Sequence, residues 1–232
     1  FMKAATLKGL VCHTATDDTF SAGPDPELGW GFLNAESSAQ AILDDSNGSA
    51  LILESNLANG NSYTTTFSTT GSGALSATIC WTDPPGPSQS GILNSSTPVL
   101  VNDLDLRLTA PDGTTVFFPW KLQLSDVSAP AITGDNIVDN IENIDIDTPV
   151  AGTYTLTVSH KGTLASSQDF SLILTGSNIT LSNEVDLKVS NLSVWPNPTK
   201  DLLNFTYKTL NNSNVNVFLT DMQGRTVYSN VI

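Results

Sequence analysis

Leu100–Trp120 reads LVNDLDLRLTAPDGTTVFFPW, and its alternation decides the fold. Leu104, Leu106 and Leu108 fall on one side of an extended chain, with Asp103, Asp105 and Arg107 on the other, because successive side chains of a strand point to opposite faces. Pro111-Asp112-Gly113 interrupts the pattern. Gly113 is free to take positive φ there, so two strands join as a hairpin. The same period of two recurs in SYTTTFSTT (62–70), ALSATICW (74–81), TYTLTVSH (153–160) and DFSLILTG (169–176), separated by Gly, Pro, Asn and Asp. Roughly eight short strands at this spacing predict an antiparallel β-sandwich of jelly-roll type, each strand buried on one face and wet on the other.

Outward from this block the pattern changes twice. In FMKAATLKGLVCHTA (1–15), Ala4, Leu7, Leu10 and Val11 recur at helical spacing, with Lys3 and Lys8 available to water. After a loop rich in Asp, Gly and Pro, Asn34 can cap a second helix and Glu36 favours its positive end. Ala35, Ala39, Ile42 and Leu43 share one face, and DDSNG (44–48) ends it. On the other side, GSNITLSNEVDLK (176–188) reads as a polar linker, and alternation returns in VSNLSVWPNPTKDLLNFTYK. The expected architecture is mainly β: two short helices (1–45), a jelly-roll-like sandwich (46–177), a linker (178–190) and a small partial β domain (191–232). The opening at Phe1 reads as that of a fragment.

Composition narrows the function. The chain has 232 residues, a formal net charge of −14, 39% hydrophobic and 14% charged residues. Nine Lys and Arg, scattered along the chain, exclude nucleic acid as a partner, since phosphate contacts need clustered cations. No apolar run approaches the roughly 20 residues of a transmembrane segment, and the start carries no signal peptide. Such acidity suits an extracellular or cation-binding protein, or simply a surface kept soluble by repulsion. Cys12 and Cys80 each sit in an apolar segment, which leaves open a disulfide or two buried thiols; no CxxC spacing supports zinc.

Three stretches carry resemblances. LKGLVCHTATDD, followed by GPDPELGWGFLNAESSAQAIL, resembles the end of a subtilisin-like serine protease catalytic domain. The likeness rests on Thr14-Ala15 closing a helix and on Gly29-Trp30-Gly31-Phe32-Leu33-Asn34-Ala35 leading into the next. ATICWTDPPG, LVNDLDLRLTAPDG, DNIENIDIDTPVAGTYTLTVSH and QDFSLILTG look like the accessory sandwich that follows the catalytic domain in some subtilases, akin to the P domain of proprotein convertases. VWPNPTKDLLNFTYKT and VNVFLTDMQGRTVYS are similar to the C-terminal sorting domain of type IX secretion substrates of Bacteroidetes. That third likeness rests on Pro196-Asn197-Pro198, the strand Leu203–Tyr207 and Asp221-Met222-Gln223-Gly224-Arg225.

Together these imply a secreted or cell-surface protein: the C-terminal part of a serine endopeptidase. Its expected partners are the rest of the catalytic domain, the type IX secretion machinery and the peptide or protein substrate of the parent enzyme. A triad needs a serine, a histidine to activate it and a carboxylate to orient that histidine. The motifs that supply them are not in these residues, and His13 and His160 read as structural or surface residues, so the chain alone is expected to be inactive. Aromatic residues Trp81, Phe118 and Trp120 leave a second reading open, an adhesion or carbohydrate-binding sandwich.

Asp135, Asp139, Glu142, Asp145 and Asp147 cluster in sequence, and Asp103 and Asp105 add two more carboxylates on one strand face. Calcium takes six to eight oxygens from such groups, and the resemblance implies an accessory module that commonly carries it. The candidate ligands are Asp103, Asp105, Asn140 and Glu142. A solvated acidic face is the competing reading.

Overall fold

The computed structural model describes residues 2–17, 22–92, 97–126, 128–164, 166–181, 190–195, 204–208, 216–220 and 226–231. They belong to two units, Phe1–Ser182 and Asn183–Ile232. The first contains α1 (Ala4–His13), α2 (Ala35–Asn47) and strands β1 (Leu51–Leu57), β2 (Tyr63–Thr69), β3 (Leu75–Trp81), β4 (Leu104–Thr109), β5 (Val116–Phe117), β6 (Trp120–Lys121), β7 (Ile132–Thr133), β8 (Ile141–Ile146), β9 (Gly152–His160), β10 (Gln168–Gly176) and β11 (Ile179–Leu181).

Two antiparallel sheets form the sandwich, in the orders β1-β10-β3-β8 and β11-β2-β9-β4-β5, while β6 and β7 pair separately. The alternation is realised as expected: Leu104, Leu106, Leu108, Tyr154, Leu156 and Val158 are fully buried. They share one core with Ala77, Ile79, Trp81, Phe170, Leu172 and Leu174 of the other sheet. Phe67 stacks on Tyr154 with ring centroids 5.6 Å apart. The β4–β5 hairpin turns at Gly113, φ 71°. Asp112 secures it by accepting from the amides of Thr114 and Thr115 and the Thr115 hydroxyl, and these bonds hold its carboxyl down to about 2. β11 forms inside the stretch read as linker and pairs with β2; Ile179 turns into the core and Leu181 packs against it, two apolar anchors that the surrounding Ser, Thr and Asn conceal.

The helices lie on the outer face of the first sheet, α1 against β3 and β10 and α2 against β1. Their buried faces differ from the expected ones. In α1 the sheet side is Ala5, Thr6, Gly9 and Leu10, while Leu7 is 57% exposed. Thr6 is held by Glu54 and Ser171, and His13 by Thr78 (2.7 Å) and Thr175 (2.8 Å). Gly9 sets the close approach, since a Cβ there would lie 2.9 Å from Ile173 Cδ1. In α2 the Asn34 carboxamide caps by accepting from Ser37 N, and Gly48 ends the helix in the left-handed region. Only Ala41 is buried; the face carrying Ala39, Ile42 and Leu43 points to solvent. In α1, hydrogen bonds to distant polar side chains act together with the apolar contacts of Ala5 and Leu10 to decide which way the helix faces.

Cys12 and Cys80 are free thiols, and burial pushes the Cys80 thiol up to about 11. In the second unit β12 (Ser190–Trp195) pairs with β13 (Asn204–Lys208), and β14 (Asn216–Thr220) with β15 (Thr226–Val231), all antiparallel. Of the expected Leu203–Tyr207 strand, residues 204–207 are in β13, while Leu203, Pro196-Asn197-Pro198 and Asp221–Arg225 lie outside the described residues.

Candidate functional site

β4 pairs with β9 along its whole length, but with β5 only at Leu108 and Thr109. The edge at Leu106 therefore has no strand beside it, and an unpaired backbone group in a buried place is costly. Side chains take over. Leu106 N donates to Glu142 Oε2 at 2.5 Å, and Leu106 O accepts from Arg107 Nη1 at 2.7 Å. β8 brings Glu142 to this edge from the opposite sheet, and the residue is fully buried.

Around that edge four carboxylates and two cations interlock. Arg107 Nη2 donates to Asp105 Oδ1 (2.8 Å) and to Asp135, and Nη1 lies 3.8 Å from Glu142 Oε2. Lys161 Nζ reaches Asp105 Oδ1 (2.6 Å), Asp135 Oδ1 (2.9 Å) and Asp103 Oδ2 (3.4 Å). The guanidinium of Arg107 also lies 4.6 Å from the Phe118 ring centroid. Two oxygens, Asp103 Oδ1 and Glu142 Oε1, are buried without a partner.

The electrostatics follow from burial and pairing. Burial pushes Glu142 up to about 8, against the opposing pull of the Leu106 amide, and raises Asp103 despite Lys161. Burial would also raise Asp135, but hydrogen bonds from Lys161 and Arg107 hold it below the usual range. Lys161 is held above its ordinary value by Asp105 and Asp135, which outweigh its partial desolvation. Glu142 is therefore largely protonated at neutral pH, and the cluster carries less negative charge than its residue count implies.

A raised carboxyl has a definite sign in the stability curve. The folded state holds the proton of Glu142 up to about 8, the unfolded chain only to about 4.5. Its stabilising contribution is complete below the unfolded value and is lost as pH rises through the folded one. Glu142→Gln cannot ionise and keeps an acceptor for Leu106 N. It should melt near the parent at pH 5 and above it at pH 9, by on the order of 2–4 kcal/mol, a pKa unit being about 1.4 kcal/mol. A variant less stable than the parent at pH 9 would show the carboxylate to be the favoured form.

Of the four residues offered to calcium, the fold brings together Asp103, Asp105 and Glu142. Asn140 lies apart: its Oδ1 accepts from Lys8 Nζ and its Nδ2 donates to Trp81 O, extending the ladder between β3 and β8. Among the described residues no group of three or more His, Cys, Asp or Glu side chains is placed to hold a metal ion. Asp139 accepts from Asn136 and Asp145 from the Trp120 indole. Lys161 and Asp135 were absent from the candidate set; Lys161 follows the Thr153–His160 strand directly, and β4–β9 pairing carries it to Asp103. Burial holds His13 down to about 4, and His160 Nε2 accepts from Gly60 N, so both have structural partners. Trp81 is in the core with its indole N–H on Asn102 O, and Phe118 lies against Arg107; the three aromatic residues form no common platform.

Residues 193–232 match the family model described as secretion system C-terminal sorting domain. No curated protein matches the chain. The sorting tail marks a secreted or cell-surface protein and implies contact with the type IX secretion machinery. No helix among the described residues is long and apolar enough to cross a membrane.

Proposed function

We propose that the chain is the C-terminal part of a secreted subtilisin-like serine endopeptidase. Residues 1–45 close its catalytic domain, the sandwich steadies that domain or assists substrate contact, and the tail directs export. The observation that carries this reading is the outward turn of the helices. Leu7, Phe32, Leu33, Ile42 and Leu43 are 43–69% exposed, while Thr6, Gly9, Ser37, Ser38 and Ala41 lie on the more buried side. Large apolar side chains left exposed on both helices and on the loop between them suit a surface that is covered, and a catalytic domain packed there would cover it. The segments that carry the likeness also touch each other. Thr16 and Phe32 exchange both backbone hydrogen bonds at 2.9 Å, Thr14 Oγ1 meets Ser38 Oγ at 2.6 Å, and a Cβ at Gly31 would lie 2.4 Å from Thr16 O.

Activity decides it. The product as the cell exports it should hydrolyse casein and take one fluorophosphonate on a serine outside this stretch, while the 232-residue chain alone should do neither. An exported product that takes no label overturns the reading.

Calcium belongs to the same proposal. Asp103 Oδ1 and Glu142 Oε1 offer two oxygens without partners, but Lys161 and Arg107 compete for the same carboxylates. Binding to the folded state alone would add about 2.7 kcal/mol at a hundredfold excess over Kd, so millimolar calcium should raise the melting temperature and chelator lower it. A melt moved by neither leaves the two cations as the counter-charges.

A further inference from the structure

Between the end of α1, residues 15–17 and 22–23, and the outer face of the first sheet lies a cavity of about 380 Å³. Two indoles, Trp30 and Trp120, and three carboxylates, Asp17, Asp145 and Asp147, line it, and among the described residues no Lys or Arg does. Asp17 accepts from Gly23 N (3.1 Å) and Asp145 from Trp120 Nε1 (3.0 Å). Those donors are neutral, so they orient the carboxylates without cancelling their charge. His13, also on the wall, brings no positive charge, being hydrogen-bonded through both ring nitrogens to threonine hydroxyls and held neutral by burial. The cavity is thus aromatic, acidic and uncompensated.

We propose that this cavity binds the guanidinium of an arginine side chain presented by a peptide. A hard metal ion needs six or more oxygens converging at 2.3–2.6 Å, which no group of described carboxylates provides and which indoles cannot supply. A guanidinium is planar and weakly hydrated. It stacks on aromatic faces and meets carboxylates through a fork of N–H donors, whereas an ammonium is held more strongly by water. A sugar would use the indoles and donate its hydroxyls to the carboxylates, but it brings no positive charge to offset three negative ones. The inference stands apart from the protease reading, since it uses only the residues of the cavity.

The test is a titration of the full chain with N-acetyl-arginine amide, followed by the indole N–H resonances of Trp30 and Trp120. The arginine probe should shift both, with a Kd on the order of millimolar or tighter, as fits one charged side chain. N-acetyl-citrulline amide, the uncharged isostere, should bind at least tenfold more weakly, with the lysine analogue between them. Asp145→Asn combined with Asp147→Asn should weaken arginine at least tenfold at an unchanged melting temperature, because both positions are exposed and Asn can still accept from Trp120. A capped Gly-Arg-Gly peptide should bind at least as well as the single residue. Equal binding of citrulline, indifference to the double variant, preference for a neutral monosaccharide, or no indole shift at 20-fold above the expected Kd each overturns the proposal. Tighter binding of free arginine than of the peptide overturns its peptide half.

Discussion

A chain that begins at Ser46 should melt far below the full-length one, and its sandwich should be only marginally folded at 37 °C. Leu10 and Ile173 are buried together with Ala41 under α1 and α2, and Cys80 and Ile141 are closed in by Ala5, with Cys12 and Trp30 packed against them. Removing the helices returns Ile173, Ile141 and Cys80 to water and deletes Leu10. At roughly 1.5–3 kcal/mol for each large aliphatic side chain, the loss is on the order of 5 kcal/mol or more, against a total of about 5–15 kcal/mol for a domain of this size. The polar partners left behind, Thr78, Thr175 and Ser171, are rehydrated and add little. The same truncation removes the exposed Leu7, Ile42 and Leu43, so light scattering alone could report a better-behaved sample. Thermal or denaturant unfolding must accompany it. A truncated chain that unfolds at the same midpoint as the parent would show α1 and α2 to be passengers on the sheet.

How far this was legible depends on where each residue's partner lies. Leu104, Leu106 and Leu108 announce their burial locally, because period-two alternation is written within one strand. The Gly113 turn and the Asn34 cap are equally local, each satisfied within three residues. The facing of α1 is not. Nothing local in the sequence turns Thr6 and His13 toward the sheet; Glu54, Ser171, Thr78 and Thr175, 48 to 165 positions away, supply their hydrogen bonds. The acidic site was half legible for the same reason. Asp103, Asp105 and Glu142 are visible as carboxylates near alternating strands, but the cations that meet them depend on sheet pairing. Arg107 looked like part of a wet face, and only the partly unpaired edge of β4 turns it toward Glu142. Asn140 shows the converse: two residues before Glu142 and just ahead of β8, it bonds Lys8 and Trp81 O instead of joining the cluster.

Arg107→Ala should be the most damaging single substitution in the sandwich that leaves the core itself unaltered. The side chain is 20% exposed and serves Asp105, Asp135, Glu142 and the Leu106 carbonyl at once. Deleting it leaves Asp105 and Asp135 with Lys161 alone and removes the guanidinium that lies 3.8 Å from Glu142 Oε2. Stripping one partner from a buried pair costs about 3–5 kcal/mol, mostly because a buried charge is left uncompensated. The Lys3–Asp169 pair sets the contrast: its side chains are 45% and 58% exposed, and Lys3→Ala should cost no more than about 1 kcal/mol. Arg107→Lys keeps the charge but loses the fork and the contact with Phe118, so it should fall between parent and alanine. The cause can be separated from lost packing. If stranded negative charge is the source, adding Glu142→Gln to Arg107→Ala should recover part of the loss above pH 8, where Glu142 ionises, and the deficit should be larger at pH 9 than at pH 6. A double variant no better than the single one, with a deficit flat from pH 4 to 9, would mean that Arg107 acts through its methylene stem and the Phe118 contact rather than through its charge.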